Sequence, residues 1–351
     1  MRRTNHVHKN KMMTSTERVQ AALKKRQPDR VPVLEFVVDT KVARAAMPDC
    51  RDAADFMDRI GFDGVCCGAQ FATIRGFPDG RYVDEWGVTY LPGPETVAHP
   101  LNGPIKTLAD AKTYTPPDPD SSNRLEALEK LIHRYKGRRA ICFHHRAAFM
   151  WSAYLMGMDN ILADFILETE KVEIVLDKVL ETNIAIIRRA IQMGAEIIIL
   201  GDDYAHNLGP MMSPELFRHF LLPRLKKMIA TIHEEGALCI KHSDGNIYPL
   251  LEMIVSAAPD GINPIEPAAG MDLRTAKHLV GDRVCLVGNI DCAHLLPFGA
   301  PAHVRDAVRQ AITDAGPGGG FILSSSNSIH STCNPENVVA MVRTCHEFGV
   351  Y

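Results

Sequence analysis

His242-Ser-Asp244 sets an imidazole and a carboxylate two residues apart at the end of an apolar run, Ala237–Asp244. On a strand, alternation puts both side chains on one face and Ser243 on the other. A histidine and a carboxylate so placed can share a metal ion, or the carboxylate can orient the imidazole. Asp202-Asp203 closes another apolar run. Adjacent carboxylates resist joint ionisation in a dry site, yet neighbours on a strand diverge, so one should face inward while the other supports the turn at Tyr204. Glu35 lies inside a run and Glu266 ends one. A carboxylate in a buried strand is costly unless paired, so each is a candidate ligand, proton carrier or salt-bridge partner. Asn327 ends the last run, and His330 and Cys333 follow it; cysteine beside histidine suits zinc. His144-His145-Arg146 ends a further run, with one ring directed inward and one outward. Met150, Trp151, Tyr154 and Met156 follow at helical spacing, as a packed helix start or as an apolar lip for a flat ligand.

These residues make a specific set of expectations. Asp202, Asp203 and Glu35 are the candidate catalytic carboxylates. His144, His145, Tyr204 and Asn327 are candidate substrate contacts. His242, Asp244, Glu266 and Cys333 are candidate metal ligands.

The elements that must position them are eight short apolar runs. They are Val31–Val38, Gly64–Gly68, Arg139–His145, Glu196–Asp203, Ala237–Asp244, Gly261–Glu266, Val284–Asp291 and Phe321–Asn327. Unbroken apolar runs mark strands covered on both faces. Helical patterns lie between them, including Ser122–Tyr135, Asn160–Met193, Pro214–Glu235 and Glu336–Phe348. Strand–helix alternation implies a parallel sheet. The count of eight, without a dinucleotide fingerprint, predicts an α/β fold, a (β/α)8 TIM barrel, whose polar groups then gather at the C-terminal rim. Thr14-Ser-Thr-Glu17 reads as a capping box opening the first helix. Trp86–Pro119 breaks the alternation and reads as a hairpin and loop insertion, residues 86–119, near the barrel mouth. Gly316-Pro-Gly-Gly-Gly320 precedes a strand, so it is a tight turn and not a phosphate loop. Asn289 and Asp291 read as a loop-stabilising pair.

Composition narrows the class. The 351 residues are 46% hydrophobic and 23% charged, with a net charge of −3. This leaves no global basic footprint for nucleic acid. No apolar run approaches the roughly 20 residues of a membrane span. The nine cysteines are odd in number and several fall inside strands. They read as buried free thiols of a reducing compartment, which makes the expected location cytoplasmic. Residues 1–13 read as a flexible leader and 14–351 as the barrel domain.

Pro28-Asp-Arg-Val-Pro-Val, Gly201-Asp-Asp, Gly209-Pro-Met-Met-Ser-Pro-Glu-Leu-Phe, His242-Ser-Asp-Gly-Asn, Gly288-Asn-Ile-Asp and Pro335-Glu-Asn together resemble the uroporphyrinogen decarboxylase superfamily. The resemblance spans most of residues 14–350 and implies a (β/α)8 barrel. It implies one of two activities: cofactor-free decarboxylation of a tetrapyrrole's acetate arms, or methyl transfer involving a corrinoid protein, usually with zinc. The decarboxylases carry an Arg-Gln-Ala-Gly-Arg segment after the first strand, where this chain reads Leu34-Glu-Phe-Val-Val-Asp-Thr. The zinc methyltransferases carry His-x-Cys at the fifth strand and a later cysteine after the eighth. This chain keeps His242, has Asp244 in place of the first cysteine, and has Asn327 near the second position, with Cys333 displaced. An oxygen-rich site remains open to zinc or another divalent metal.

The resemblance therefore implies a methyltransferase, of the kind that demethylates small methylated substrates such as methyl ethers. Its corrinoid would come from a partner protein, since no Asp-x-His-x-x-Gly corrinoid motif is present. A uroporphyrinogen decarboxylase is the alternative, and a non-catalytic barrel that binds a corrinoid or small molecule is the second. No nucleic acid and no membrane is expected among the partners.

Overall fold

The computed structural model describes residues 12–93 and 98–351. Most of the expected leader, residues 1–11, lies outside the described residues. The described strands are β1 (Gly64–Gly68), β2 (Thr73–Gly76), β3 (Tyr82–Asp84), β4 (Thr89–Leu91), β5 (His99–Asn102), β6 (Ala140–Arg146), β7 (Ile197–Gly201), β8 (Ala205–His206), β9 (Gly209–Pro210), β10 (Leu238–His242), β11 (Gly261–Asn263), β12 (Cys285–Ile290) and β13 (Phe321–Ser325).

Seven of them form one parallel sheet in the order β1-β6-β7-β10-β11-β12-β13. The order follows the chain, as successive strand–helix units require when each crossover has the same hand. Segment 31–38 departs from the expected continuous strand. It forms isolated parallel bridges, Val33 to Leu323 and Val38 to Ile329, in place of a ladder. The Leu34 N–H donates to the Leu323 carbonyl at 3.0 Å, and the Asp63 N–H donates to the Val33 carbonyl at 2.8 Å. The segment thus lies between β13 and the start of β1. A regular ladder fails for a local reason: Pro32 has no N–H, and the Phe36 N–H turns to the carboxylate of Glu35 instead of a neighbouring strand. The result is a curled parallel α/β sheet of TIM-barrel-like form.

Two apolar clusters flank it. Ile199, Ile240, Val287, Ile322 and Phe36 face the inside of the curl, together with Val19, Ala22 and Leu23 of helix Ser15–Leu23. The capping box at Thr14 starts that helix, which stoppers the N-terminal end of the sheet. The larger cluster lies between sheet and helices and holds Ile198, Leu200, Ile262 and Leu286. Residues 197–200 thus send alternate side chains to two dry layers. Each such fully buried side chain contributes roughly 1.5–3 kcal/mol.

The sheet excursion starts earlier than expected. β2–β5 form a four-stranded antiparallel sheet from Thr73 to Asn102, so Trp86 lies in its middle and not at its start. The strands are short and the first is exposed, which hides them from an apolar-run reading. The expected helix 214–235 is interrupted by a π-helical turn, Phe217–Leu221. The glycine turn behaves as expected: Gly318, Gly319 and Gly320 all have positive φ, and a Cβ on Gly319 would meet the Arg26 backbone at 2.6 Å.

Candidate active site

The strand register decides which side chains meet. β10 pairs with β7 so that His242 lies beside Gly201, and with β11 so that it lies beside Asn263. His242 therefore points inward over Ile240, and inward parity on the next strand passes through Gly201 to Asp203. Asn263 donates through Nδ2 to the Val287 carbonyl at 3.1 Å, which leaves its Oδ1 as an acceptor 2.6 Å from His242 Nδ1. That geometry puts the proton on Nδ1 and aims Nε2 at the carboxylates. Phe36 packs edge-on against the imidazole, ring centroids 5.3 Å apart.

Nε2 lies 3.5 Å from Asp203 Oδ1 and 3.4 Å from Asp244 Oδ1. One donor atom from each of Asp203, His242 and Asp244 falls within 4.8 Å of the others. The loops that carry them touch at Gly245, where a Cβ would meet the Ala205 carbonyl carbon at 2.5 Å and φ is +83°. The Asp244 N–H donates to Asp203 Oδ1 at 3.1 Å. Asn327 donates to Asp244 Oδ2, while Asp244 Oδ1 is buried without a hydrogen bond. Burial pushes the Asp244 carboxyl up to about 7, against the pull of His242. For Asp203 burial acts in the same direction, but the charges of His242 and Arg146 outweigh it and hold the group below its usual range.

The cluster opens into a cavity of about 880 Å3. His144, Arg146, Trp151 and Tyr154 line one side; Tyr82, Asp84 and Tyr90, from the antiparallel sheet, line another. His144 fits because β1 ends in Gly68, where a Cβ would sit 2.4 Å from the imidazole. Burial drops His144 to about 4 and His145 to about 3, so both rings are neutral at pH 7. His145 donates through Nε2 to Asn183 Oδ1, 3.0 Å away, and stacks on Phe71. Trp151 and Tyr154 of helix Phe149–Met156 line the cavity, whereas Met150 and Met156 pack into the core.

Five expected residues stand elsewhere. Asp202 points out of the curl, where its carboxylate accepts from the Ala148, Phe149 and Met150 N–H groups at 2.7–3.0 Å. It satisfies a helix N-terminus and does not reach the cavity. Glu35 is also outward: its oxygens accept from Phe36 and Ser325 N–H groups, and burial raises its carboxyl to about 7. Tyr204 is buried under Phe217 and Phe149, with the Lys241 ammonium 4.2 Å from its ring centre. Glu266 accepts from the Gly245 N–H at 2.7 Å and so pins the loop behind Asp244 without joining the ligand cluster. Cys333 is buried in the outer core, outside both cluster and cavity. His330 borders the cavity, but its Nε2 bonds the Cys292 carbonyl. Asn289 and Asp291 brace loops as expected, bonding the Ile265 carbonyl and the Ala293 N–H.

Two contributors escaped the sequence reading. Arg146 lies two residues past His144, so strand alternation carries it to the same cavity face. Asn263 is paired in register with His242, a relation invisible before the strands are aligned.

The donor set suits a divalent cation: one imidazole nitrogen, two carboxylates, and an unsatisfied buried oxygen. Among the described residues no helix is long and apolar enough to cross a membrane.

Comparison with known proteins agrees with the architecture. A structure described as a methyltransferase from Methanosarcina mazei superposes with a TM-score of 0.78 at 21% identity, covering 96% of this chain and 99% of the other. The uroporphyrinogen decarboxylase of Alkalilimnicola ehrlichii is 24% identical, over 95% of this chain and 94% of its own length. That of Pseudoalteromonas translucida is 23% identical, over 95% and 97%. The family profile for Uroporphyrinogen decarboxylase (URO-D) matches residues 84–348, with Asp203, His242 and Asp244 among them, and on that match the chain belongs to this family.

Proposed function

We propose that the chain is a metal-dependent methyltransferase, which moves a methyl group between a small methylated substrate and a corrinoid carried by a partner protein. The observation that carries this reading is the Asp203–His242–Asp244 cluster at the floor of the cavity. A divalent cation held by these three residues would act as a Lewis acid on the heteroatom that bears the methyl group. Asn263 fixes the tautomer of His242, and Asn327 and the Asp244 N–H orient the two carboxylates. The aromatic walls exclude water around the substrate. The Methanosarcina structure, described as a methyltransferase, is in keeping with the methyl-transfer part of this reading.

Decarboxylation of uroporphyrinogen, the activity named for the curated relatives, fits this cavity poorly. Among the described residues Arg146 is the one arginine or lysine lining it, beside the carboxylates of Asp84, Asp203 and Asp244. An octa-anionic substrate would bring unpaired carboxylates into a dry site, each costing several kcal/mol.

Elemental analysis of the purified protein, with a methyl-transfer screen using added corrinoid protein, tests the proposal. His242→Ala should lower bound metal to background and lose transfer, and chelation should do the same to the wild type. Transfer that survives both changes, or decarboxylation of uroporphyrinogen at an enzyme-like rate, would overturn it.

A further inference from the structure

We infer that the cavity takes a monoanionic ligand with a flat apolar body, whose carboxylate seats on Arg146. Buried and half-buried arginines elsewhere in the described chain are matched to carboxylates: Arg18 to Asp29 and Asp63, Arg30 to Asp63, Arg124 to Glu85, Arg139 to Asp58, all within 2.9 Å. Arg146 is the exception. It lines the cavity, and among the described residues no hydrogen bond or ion pair holds its guanidinium. Its neighbour is instead the ring of Tyr154, 5.2 Å from the guanidinium carbon. The charges of Asp203 and Asp202 act on it from a distance, but Asp203 already takes the Asp244 N–H and faces His242.

A guanidinium held over an aromatic ring and bound to no carboxylate keeps its planar N–H fork available, the arrangement that grips a carboxylate through two parallel hydrogen bonds. The surrounding surface is aromatic, from Phe36, Phe71, Tyr82, Tyr90 and Trp151. It suits a flat apolar body and, among the described residues, offers no second arginine or lysine, so one anionic group is matched and two are not. The carboxylate must also avoid the acidic end of the cavity, where Asp203 and Asp244 lie. Those two constraints orient the ligand, anion towards Arg146 and its far end towards the cluster. The inference rests on the reading above and deepens it by naming the substrate class: a methylated carboxylic acid.

The two tryptophans of the chain give a readout independent of turnover and metal. Trp151 lines the cavity and Trp86 stacks on it at 4.7 Å, so a ligand entering changes their fluorescence. The probes are 4-methoxybenzoate and its neutral isostere 4-methoxybenzamide, titrated into wild type, Arg146→Lys and Arg146→Met and cross-checked by equilibrium dialysis. The wild type should prefer the acid by about tenfold to a hundredfold, the worth of hydrogen bonds to a charged partner. Arg146→Met should bring acid and amide near parity. Arg146→Lys should keep part of the preference, since it retains the charge and loses the fork. Equal binding of acid and amide by the wild type, no binding of the acid at millimolar concentration, or a preference that survives Arg146→Met would each overturn the inference. If Arg146→Met does not fold, the wild-type and Arg146→Lys titrations still decide. An acid preference without methyl transfer would sink the methyltransferase reading and leave the anchor standing. Transfer that is equal on acid and amide would do the reverse.

Discussion

The two ends of the curled sheet both bury clusters of charge, and they are built oppositely. At the N-terminal end Asp63 accepts from Arg18 at 2.7 Å, from Arg30 at 2.9 Å and from the Val33 N–H at 2.9 Å. Arg18 also grips Asp29, whose N–H partners are Met13 and Arg30. For Arg18 burial alone would favour the neutral form, but the paired carboxylates prevail and raise it; Asp29 is correspondingly lowered. At the C-terminal end two carboxylates share one imidazole, one buried oxygen is left without a hydrogen bond, and one arginine lines the open cavity. Saturation at one end serves stability. Incompleteness at the other costs stability, because buried polar groups are expensive when unpaired, and such a cost is retained where a ligand completes the site.

The sharpest way to break this contrast is to unpair the saturated end. Asp63→Ala would leave the half-buried Arg30 guanidinium without its carboxylate and Arg18 with Asp29 alone. The expected loss is about 3–5 kcal/mol in denaturant unfolding, with metal content per folded molecule unchanged. A loss below about 1 kcal/mol would show that this cluster does not carry stability as argued.

The adjacent pair Asp202 and Asp203 tests the contrast within a single turn of chain. Asp202→Ala strands three N–H groups at the start of helix Phe149–Met156, and should cost about 3 kcal/mol after some relaxation, with metal binding kept in the folded fraction. Asp203→Asn should cost less stability and abolish metal binding, measured by the same elemental analysis. Reversal of the two outcomes would exchange their roles.

The smallest effect is a pH slope. Glu35 is raised by burial to about 7, whereas in the unfolded chain it titrates near about 4.3. Between those values the folded carboxyl keeps a proton that the unfolded one has lost, so stability falls as pH rises through the window and levels off above it. Asp244, also about 7, adds a slope of the same sign in metal-free protein. The depressed His144 and His145 act with the opposite sign, so Glu35→Gln should remove one downward contribution and make the urea midpoint rise more steeply, or fall less, between about pH 4.3 and 7. An unchanged slope would mean that Glu35 is ionised when folded.

Much of the site was legible because strand alternation is a local property. His242 and Asp244, Asn327, and the inward member of the His144-His145 pair follow from parity and from sitting at run ends. Glu266 and Cys333 were misplaced for the same reason that they attracted notice: each is a good ligand type near a strand end, but past that end the backbone turns and parity no longer applies. Glu266 is spent on the Gly245 amide, and Cys333 is folded back into the core. Glu35 illustrates a different limit, since only the bridge to Leu323 reveals that its oxygens answer the Ser325 N–H and its neighbour's.

What the sequence by itself determined is therefore the alternation of strands and helices, the family, and the pairs of side chains that share a face. What tertiary structure decided is which face is the inside and which strands are neighbours. Parity separates Asp202 from Asp203 but is silent on which one enters the cavity; the pairing of Gly201 with His242 chooses Asp203. That choice depends on the register between strands some forty residues apart, set by the packing of two apolar layers at once, and no local pattern encodes a contact that only the curl of the sheet creates.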